Sequence, residues 1–230
     1  DLPGTHDVLF GAETYCREFR VGSGLWTFSM DENAYLVGGN YDDPAQAALQ
    51  VGLEAGDIST LFIQDGGLIN GHRFVGGVAA GSSAFVTVRG GSRVVMERID
   101  LSIEGGTSAM FITDGAQVEA DYTTLGNDGS STVGIEGGSF VDFGPSWFGA
   151  GGSAEINIGD GQLTTGSTTA GDLGGEATVN IDGVTSTWNA EGTLMLGPEG
   201  TGAVDVRNGG HLAVESNLIL GRDADGVCLL

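Results

Sequence analysis

Hydrophobic and polar positions in this chain recur with a period much longer than that of a helix or a strand. One column of β-branched residues reads Ile63, Val88, Ile112, Ile135, Ile158, Ile181 and Val206, in steps of 25, 24, 23, 23, 23 and 25 residues. Two positions earlier stands a second apolar column, Leu61, Val86, Met110, Val133, Ile156, Val179 and Val204. Four positions earlier the residue is always small: Ser59, Ala84, Ser108, Ser131, Ala154, Ala177 and Gly202. A spacing of two puts these columns on one face of a β-strand, with the small residue where the strand leaves a corner. Three positions after the β-branched column come Gly66, Gly91, Gly115, Gly138, Gly161 and Gly209, four of them preceded by Asp65, Asp114, Asp160 or Asn208. A turn with positive φ is expected at each. The repeat of Ile181 reaches its glycine one residue early.

Each repeat continues into a second short strand, as in "QVEA" at 117–120 and "HLAV" at 211–214. A third follows, as in "TLMLG" at 193–197 and "NLILG" at 217–221. Three strands and three corners in about 24 residues predict an all-β fold, a parallel β-solenoid (β-helix) in which every strand pairs with its equivalent one coil away. A β-sandwich or propeller would also accommodate such short strands. Neither has a reason to place the same residue class at the same phase seven times running.

The whole of 1–230 reads as one solenoid domain, with a partial coil at 1–18, regular coils over 59–225 and an unpaired terminal strand at 226–230. "FRVGSG" at 19–24 fits the template with Phe19 and Val21 inward and Gly24 as the turn, 42 residues ahead of Ile63. That separation calls for one short insertion of about 18 residues, placed at 38–52. Within it, Asp43 and Pro44 suit the cap and first position of a short helix. "DVLFG" at 7–11 reads as the third strand of a coil.

Composition narrows the function classes. Glycine contributes 43 of 230 residues against 4 prolines, without a collagen period, while 40% of residues are apolar, so the glycines belong to turns rather than to disorder. The formal charge is −23, with eight arginines and no lysine. Such a polyanion argues against nucleic acid and anionic membranes as partners, and Lys–Asn cross-links and Schiff-base chemistry are absent with the lysines. No apolar run approaches a membrane span. The start lacks an initiator Met and a signal-peptide pattern, so it is either processed or artificial. Two cysteines, Cys16 and Cys228, make neither a disulfide scaffold nor a zinc motif.

Residues 184–221 read "VTSTWNAEGTLMLGPEGTGAVDVRNGGHLAVESNLILG". This stretch resembles the repeats of bacterial secreted β-solenoid proteins, the passenger domains of autotransporters and related surface adhesins; the remaining coils match loosely. The resemblance implies a secreted, extracellular or cell-surface location and a structural or adhesive role. It brings no catalytic motif. The chain departs from that family in carrying no outer-membrane barrel segment.

One further step of 24 from Val206 reaches Leu230, which places Cys228 in the apolar column and Gly226 in the small column. The strand Val227, Cys228, Leu229, Leu230 is apolar, and an open solenoid end is an edge ready to pair with another chain. A head-to-tail contact that does not close makes a filament. The leading expectation is therefore a structural subunit of an extracellular fibre, a homopolymer whose interface includes Cys16, Phe19, Val21 and Val227–Leu230. The alternative is an adhesin binding glycans or host surfaces. About eight coils at about 4.8 Å each put Cys16 and Cys228 roughly 35 Å apart within one molecule, far beyond the ~7 Å that a disulfide spans. Across a joint they are candidates for an intermolecular bond, with a register slip of three residues to absorb.

Other chemistry is weaker. The acidic turns suggest calcium, with Asp128, Asp223 and Asp225 as first candidates, yet Asx-Gly turns explain them without a metal, and no cofactor is expected. "RGGSRVVMERID" mixes Arg89, Arg93, Glu97, Arg98 and Asp100, which suits surface charge pairing better than the carboxylate pairs of polysaccharide-cleaving β-helices. The expectation is not an enzyme. The outward column Phe62, Thr87, Phe111, Gly134, Asn157, Asn180, Asp205 carries no threonine ladder of the kind that an ice-binding face requires.

Overall fold

A computed structural model describes residues 5–9, 14–16, 19–29, 34–37, 49–221 and 226–229. They form a parallel β-solenoid. One face is a ten-stranded sheet of the strands Thr5–Leu9, Gly24–Ser29, Ile58–Gln64, Ser83–Val88, Thr107–Thr113, Ser130–Glu136, Ser153–Gly159, Glu176–Asp182, Thr201–Arg207 and Val227–Leu229, stacked in chain order. The other two faces join as one sixteen-stranded sheet. They merge because Leu68–Gly76 and Arg93–Leu101 each run through two faces without a break.

The columns read from the sequence are the hydrogen-bonding register itself. Leu61 pairs with Val86, Val86 with Met110, Met110 with Val133, and so on to Val179 with Val204. Their side chains fill the interior: Leu61, Ile63, Val88, Ile112, Ile135, Ile156, Val179 and Ile181 are fully buried. A single coil has nothing to cover this face, so burial comes only from the coils above and below.

Some expected turns are built differently. Asp65–Gly66, Asp114–Gly115 and Asn208–Gly209 do take positive φ at both residues, as expected for Asx-Gly corners. Gly138 and Gly161 do not. A Cβ on Gly138 would lie 2.9 Å from the carbonyl oxygens of Ala116 and Ile112, so that glycine permits coils to approach and does not serve a left-handed turn.

The N-terminal register differs from the expectation. Gly24 pairs with Ser59, Trp26 with Leu61 and Phe28 with Ile63, so the template runs through Gly24–Ser29. Thr5–Leu9 pairs with it and is a first-face strand, with Val8 opposite Phe28, and not the third strand of a coil. Phe19–Val21 lies on the third face and pairs with Leu49–Val51. The coil at the N-terminus therefore has strands on all three faces, Thr5–Leu9, Thr14–Cys16 and Phe19–Val21, and is not partial. Aromatic residues in place of aliphatic ones hid the column.

The insertion shrinks accordingly. Phe28 and Ile63 are 35 residues apart; removing the 11 residues 38–48 between the flanking strands Ala34–Val37 and Leu49–Val51 leaves 24, one regular coil. Leu49–Val51 is strand, which corrects the expected range 38–52, and the helix expected around Asp43 and Pro44 lies outside the described residues.

At the other end, Val227–Leu229 is paired rather than unpaired. It is bonded to the preceding coil, with Cys228 opposite Gly202 and Leu229 opposite Ala203. Cys228 thus stands in the small-residue column, not the apolar one. Leu230 lies outside the described residues.

Candidate functional site

The stack changes character at its last described coil. Ile181, Leu194 and Leu196 are fully buried, whereas their counterparts one coil later, Val206, Leu218 and Leu220, are 45%, 43% and 42% exposed. Leu212 and Val214 are only partly covered although they continue the column of Trp188 and Ala190, both of which are buried. Nothing in the local sequence distinguishes these residues from the ones beneath. They are core side chains by type and register, and a further coil would bury them at roughly 25 cal/mol per Å².

The opposite margin of the ten-stranded sheet is Thr5–Leu9, a parallel strand of the same direction and pleat. His6 stacks on Trp26 there, with ring centroids 4.3 Å apart. Phe19 and Val21, expected at a joint, are the edge strand of the third face. Val21 is buried, and Phe19 packs edge-on against Phe28 at 4.7 Å. They act as core residues of their coil.

The cysteines are not brought together. Cys16 pairs with Val37 on the second face, while Cys228 lies on the first face. Stacking in register sets Val227–Leu229 against Thr5–Leu9, so a Cys16–Cys228 disulfide has no place at such a joint.

Of the calcium candidates, Asp128 sits in a left-handed corner (φ 62) and its backbone N–H donates to the carbonyl of Ala150 at 3.3 Å. Asp223 and Asp225 lie outside the described residues. Among the described residues no group of three or more His, Cys, Asp or Glu converges as a metal site.

The charged stretch at 89–100 resolves into pairs. Arg73 is buried and donates from Nε to Asp100 Oδ2 at 2.8 Å; Arg98 donates to the same oxygen at 2.6 Å. Arg98 also lies 4.5 Å over the ring of Tyr122, which stacks on Trp147 at 4.9 Å. Arg93 makes a two-pronged contact with Glu119, at 2.8 and 2.6 Å. His72 lies 2.8 Å from Glu97 at a corner. The buried Arg73–Asp100 pair ties adjacent coils, a link the sequence hid because its partners are 27 residues apart.

Asp142 is a further buried titratable group. Asp142 is 1% exposed, accepts hydrogen bonds from Ser146 Oγ (2.8 Å) and Gly144 N–H (3.0 Å), and shares the interior with Thr165, Thr168 and Trp188. Burial pushes its carboxyl above the usual range, against the pull of Thr123, Ser146 and Gly144. A carboxyl raised in the folded state contributes stability that is fully present below its unfolded value and is lost as pH rises through the folded one. Asp142→Asn is therefore expected to melt higher than the parent at neutral pH, with the gap closing on acidification toward pH ~4. Thermal melts of both proteins across that window check this; a gap independent of pH would remove Asp142 as its source.

Comparison with known protein-family models, with curated proteins and with solved structures found no match to this chain.

Proposed function

We propose that the protein is a structural subunit of an extracellular fibre, lengthened by head-to-tail stacking of one copy's first coil on another copy's last. The observation that carries this reading is the single register of the stack: from Leu61 to Val204 each coil buries its apolar column against the next in the same phase, so a coil of a second copy meets a matching face. The two margins of the described ten-stranded sheet, Thr5–Leu9 and Val227–Leu229, run parallel and share its pleat, which is what a head-to-tail joint between copies requires. The extracellular setting is supported by the likeness of 184–221 to secreted solenoid repeats.

Purified protein is expected to form linear oligomers that grow with concentration, seen by light scattering and by negative-stain microscopy as rods of one solenoid's width. Leu218→Asp/Leu220→Asp places two charges in the end face and is expected to abolish the oligomers while circular dichroism keeps the β signal of the other coils. Thiol should leave the oligomers intact, since no disulfide lies at an in-register joint. Parent protein that stays monomeric at high concentration, or a double variant that polymerises as the parent does, would overturn the proposal.

A further inference from the structure

On the outward side of the ten-stranded sheet a phenylalanine stands twice in the same column, once with an arginine on its ring and once with a carboxylate in the arginine's place. In the first case, the Arg89 guanidinium carbon lies 5.0 Å from the centroid of the Phe62 ring, and its Nε and Nη2 donate to Gln64 Oε1 at 3.0 and 2.5 Å. Phe62 is followed two residues later by Gln64, and Arg89 is the next coil's residue in that same column. Two coils on, Phe111 stands in the place of Phe62, Thr113 in that of Gln64 and Glu136 in that of Arg89.

We propose that the site at Phe111 binds an arginine side chain of an extended basic peptide. Phe111 is 42% exposed, and its ring lies against Gly134, where a Cβ would come within 2.8 Å of Cδ1. The ring forms one end of a groove of about 350 Å³ that continues past Asn157 and Asn180 to Asp182. Asn180 Nδ2 donates to Asn157 Oδ1 at 2.8 Å, which fixes the amides as a wall. Glu136 is exposed and forms no ion pair among the described residues. An aromatic face beside a carboxylate suits a guanidinium, which stacks on the ring and donates two parallel N–H bonds to the carboxylate. Asp182, further along the groove, accepts from Asn208 Nδ2 at 2.6 Å and offers a second anionic position to a following basic residue. The overall charge of −23 favours a cationic partner and disfavours an acidic glycan.

The test is fluorescence anisotropy with a labelled peptide of alternating glycine and arginine and with its citrulline counterpart, at physiological ionic strength. The arginine peptide is expected to bind and the neutral citrulline peptide not to. Phe111→Leu, which keeps apolar volume and removes the ring, and Glu136→Gln/Asp182→Asn should each weaken binding roughly fivefold or more. Glu176→Gln/Glu199→Gln removes the same charge from exposed positions outside the groove and should change affinity by less than about twofold. Equal losses from both double variants, or no effect of Phe111→Leu, would mean diffuse attraction to a polyanion and would overturn the proposal. So would Phe111-dependent binding of a neutral oligosaccharide in place of the peptide. Because Phe111 and Glu136 lie on a flank of the stack, failure here leaves the stacking result untouched, and the reverse also holds.

Discussion

Gly152→Ala is expected to destabilise the protein by about 3 kcal/mol or more, although alanine is ordinarily the mildest of substitutions. Gly152 has no left-handed backbone to lose. It belongs to a row of glycines, Gly106, Gly129, Gly152, Gly175 and Gly200, one per coil, just before the first-face strand. Each carbonyl accepts the N–H of the residue after the next glycine in the row, as when Ser153 donates to Gly129 at 2.8 Å and Glu176 to Gly152 at 2.8 Å. A Cβ on Gly152 would lie 2.6 Å from Gly129 N and 2.7 Å from Gly126 O, and would overlap the Gly129 carbonyl outright. Backbone cannot swing aside as a side chain can, so the coils must separate and the ladder bonds at that corner lengthen. Gly174→Ala is the control. Gly174 has φ +78 and nothing within 4 Å of a built Cβ, so only the left-handed strain applies, about 1–2 kcal/mol. Urea denaturation of the two variants should rank them in that order. Equal losses would mean that glycine serves conformation alone at this corner.

That row also explains where sequence reading stopped. The β-branched, apolar and small columns gave register directly, because residues at one phase of a solenoid are hydrogen-bonded neighbours. The glycine row was equally regular but lay outside the template. Had it been included, Gly226 would have continued Gly200, and Cys228, two residues later, would have fallen opposite Gly202 as it does. At the N-terminus, Phe19 and Val21 show the same alternation as a first-face strand. Alternation reports a half-buried strand and not which face it lies on. Trp26 and Phe28 carried the true column in aromatic form.

The interactions at the candidate sites were less legible, for a physical reason. The outward column Phe62, Thr87, Phe111, Gly134 was read correctly, but the stacking of Arg89 on Phe62 is a diagonal contact between coils, set by rotamers. Exposure at the end face was invisible for another reason. Leu218 and Leu220 repeat Leu194 and Leu196 in type and spacing, and only the presence or absence of the next coil separates a core leucine from a surface one.

Trp188→Ala should show how far each coil depends on its neighbour. The side chain is fully buried, lies 6.3 Å from Phe148 between ring centroids, and donates from Nε1 to Thr165 Oγ1 at 3.1 Å. Thr165 in turn accepts from Thr168 Oγ1 at 2.8 Å, so removing the indole costs one bond without stranding the threonine. Lost burial and the cavity left behind are expected to cost about 3–5 kcal/mol. Trp188→Phe keeps most of the ring and should cost about 1 kcal/mol for the missing donor. The position of the loss matters more than its size. Leu212 stacks directly on Trp188 and is already only partly covered, so the coil at 201–221, although bonded to its neighbour on all three faces, loses the largest side chain beneath it. Stability in a solenoid is a sum of coil terms and nearest-neighbour interfaces, and weakening one interface beside an exposed end lets the end coil open alone. Hydrogen exchange should therefore show amides of 201–220 in Trp188→Ala exchanging well ahead of those of 107–136, while the parent protects both. If protection falls evenly along the whole stack, the solenoid unfolds as one cooperative unit and the end coil is held by more than its neighbour.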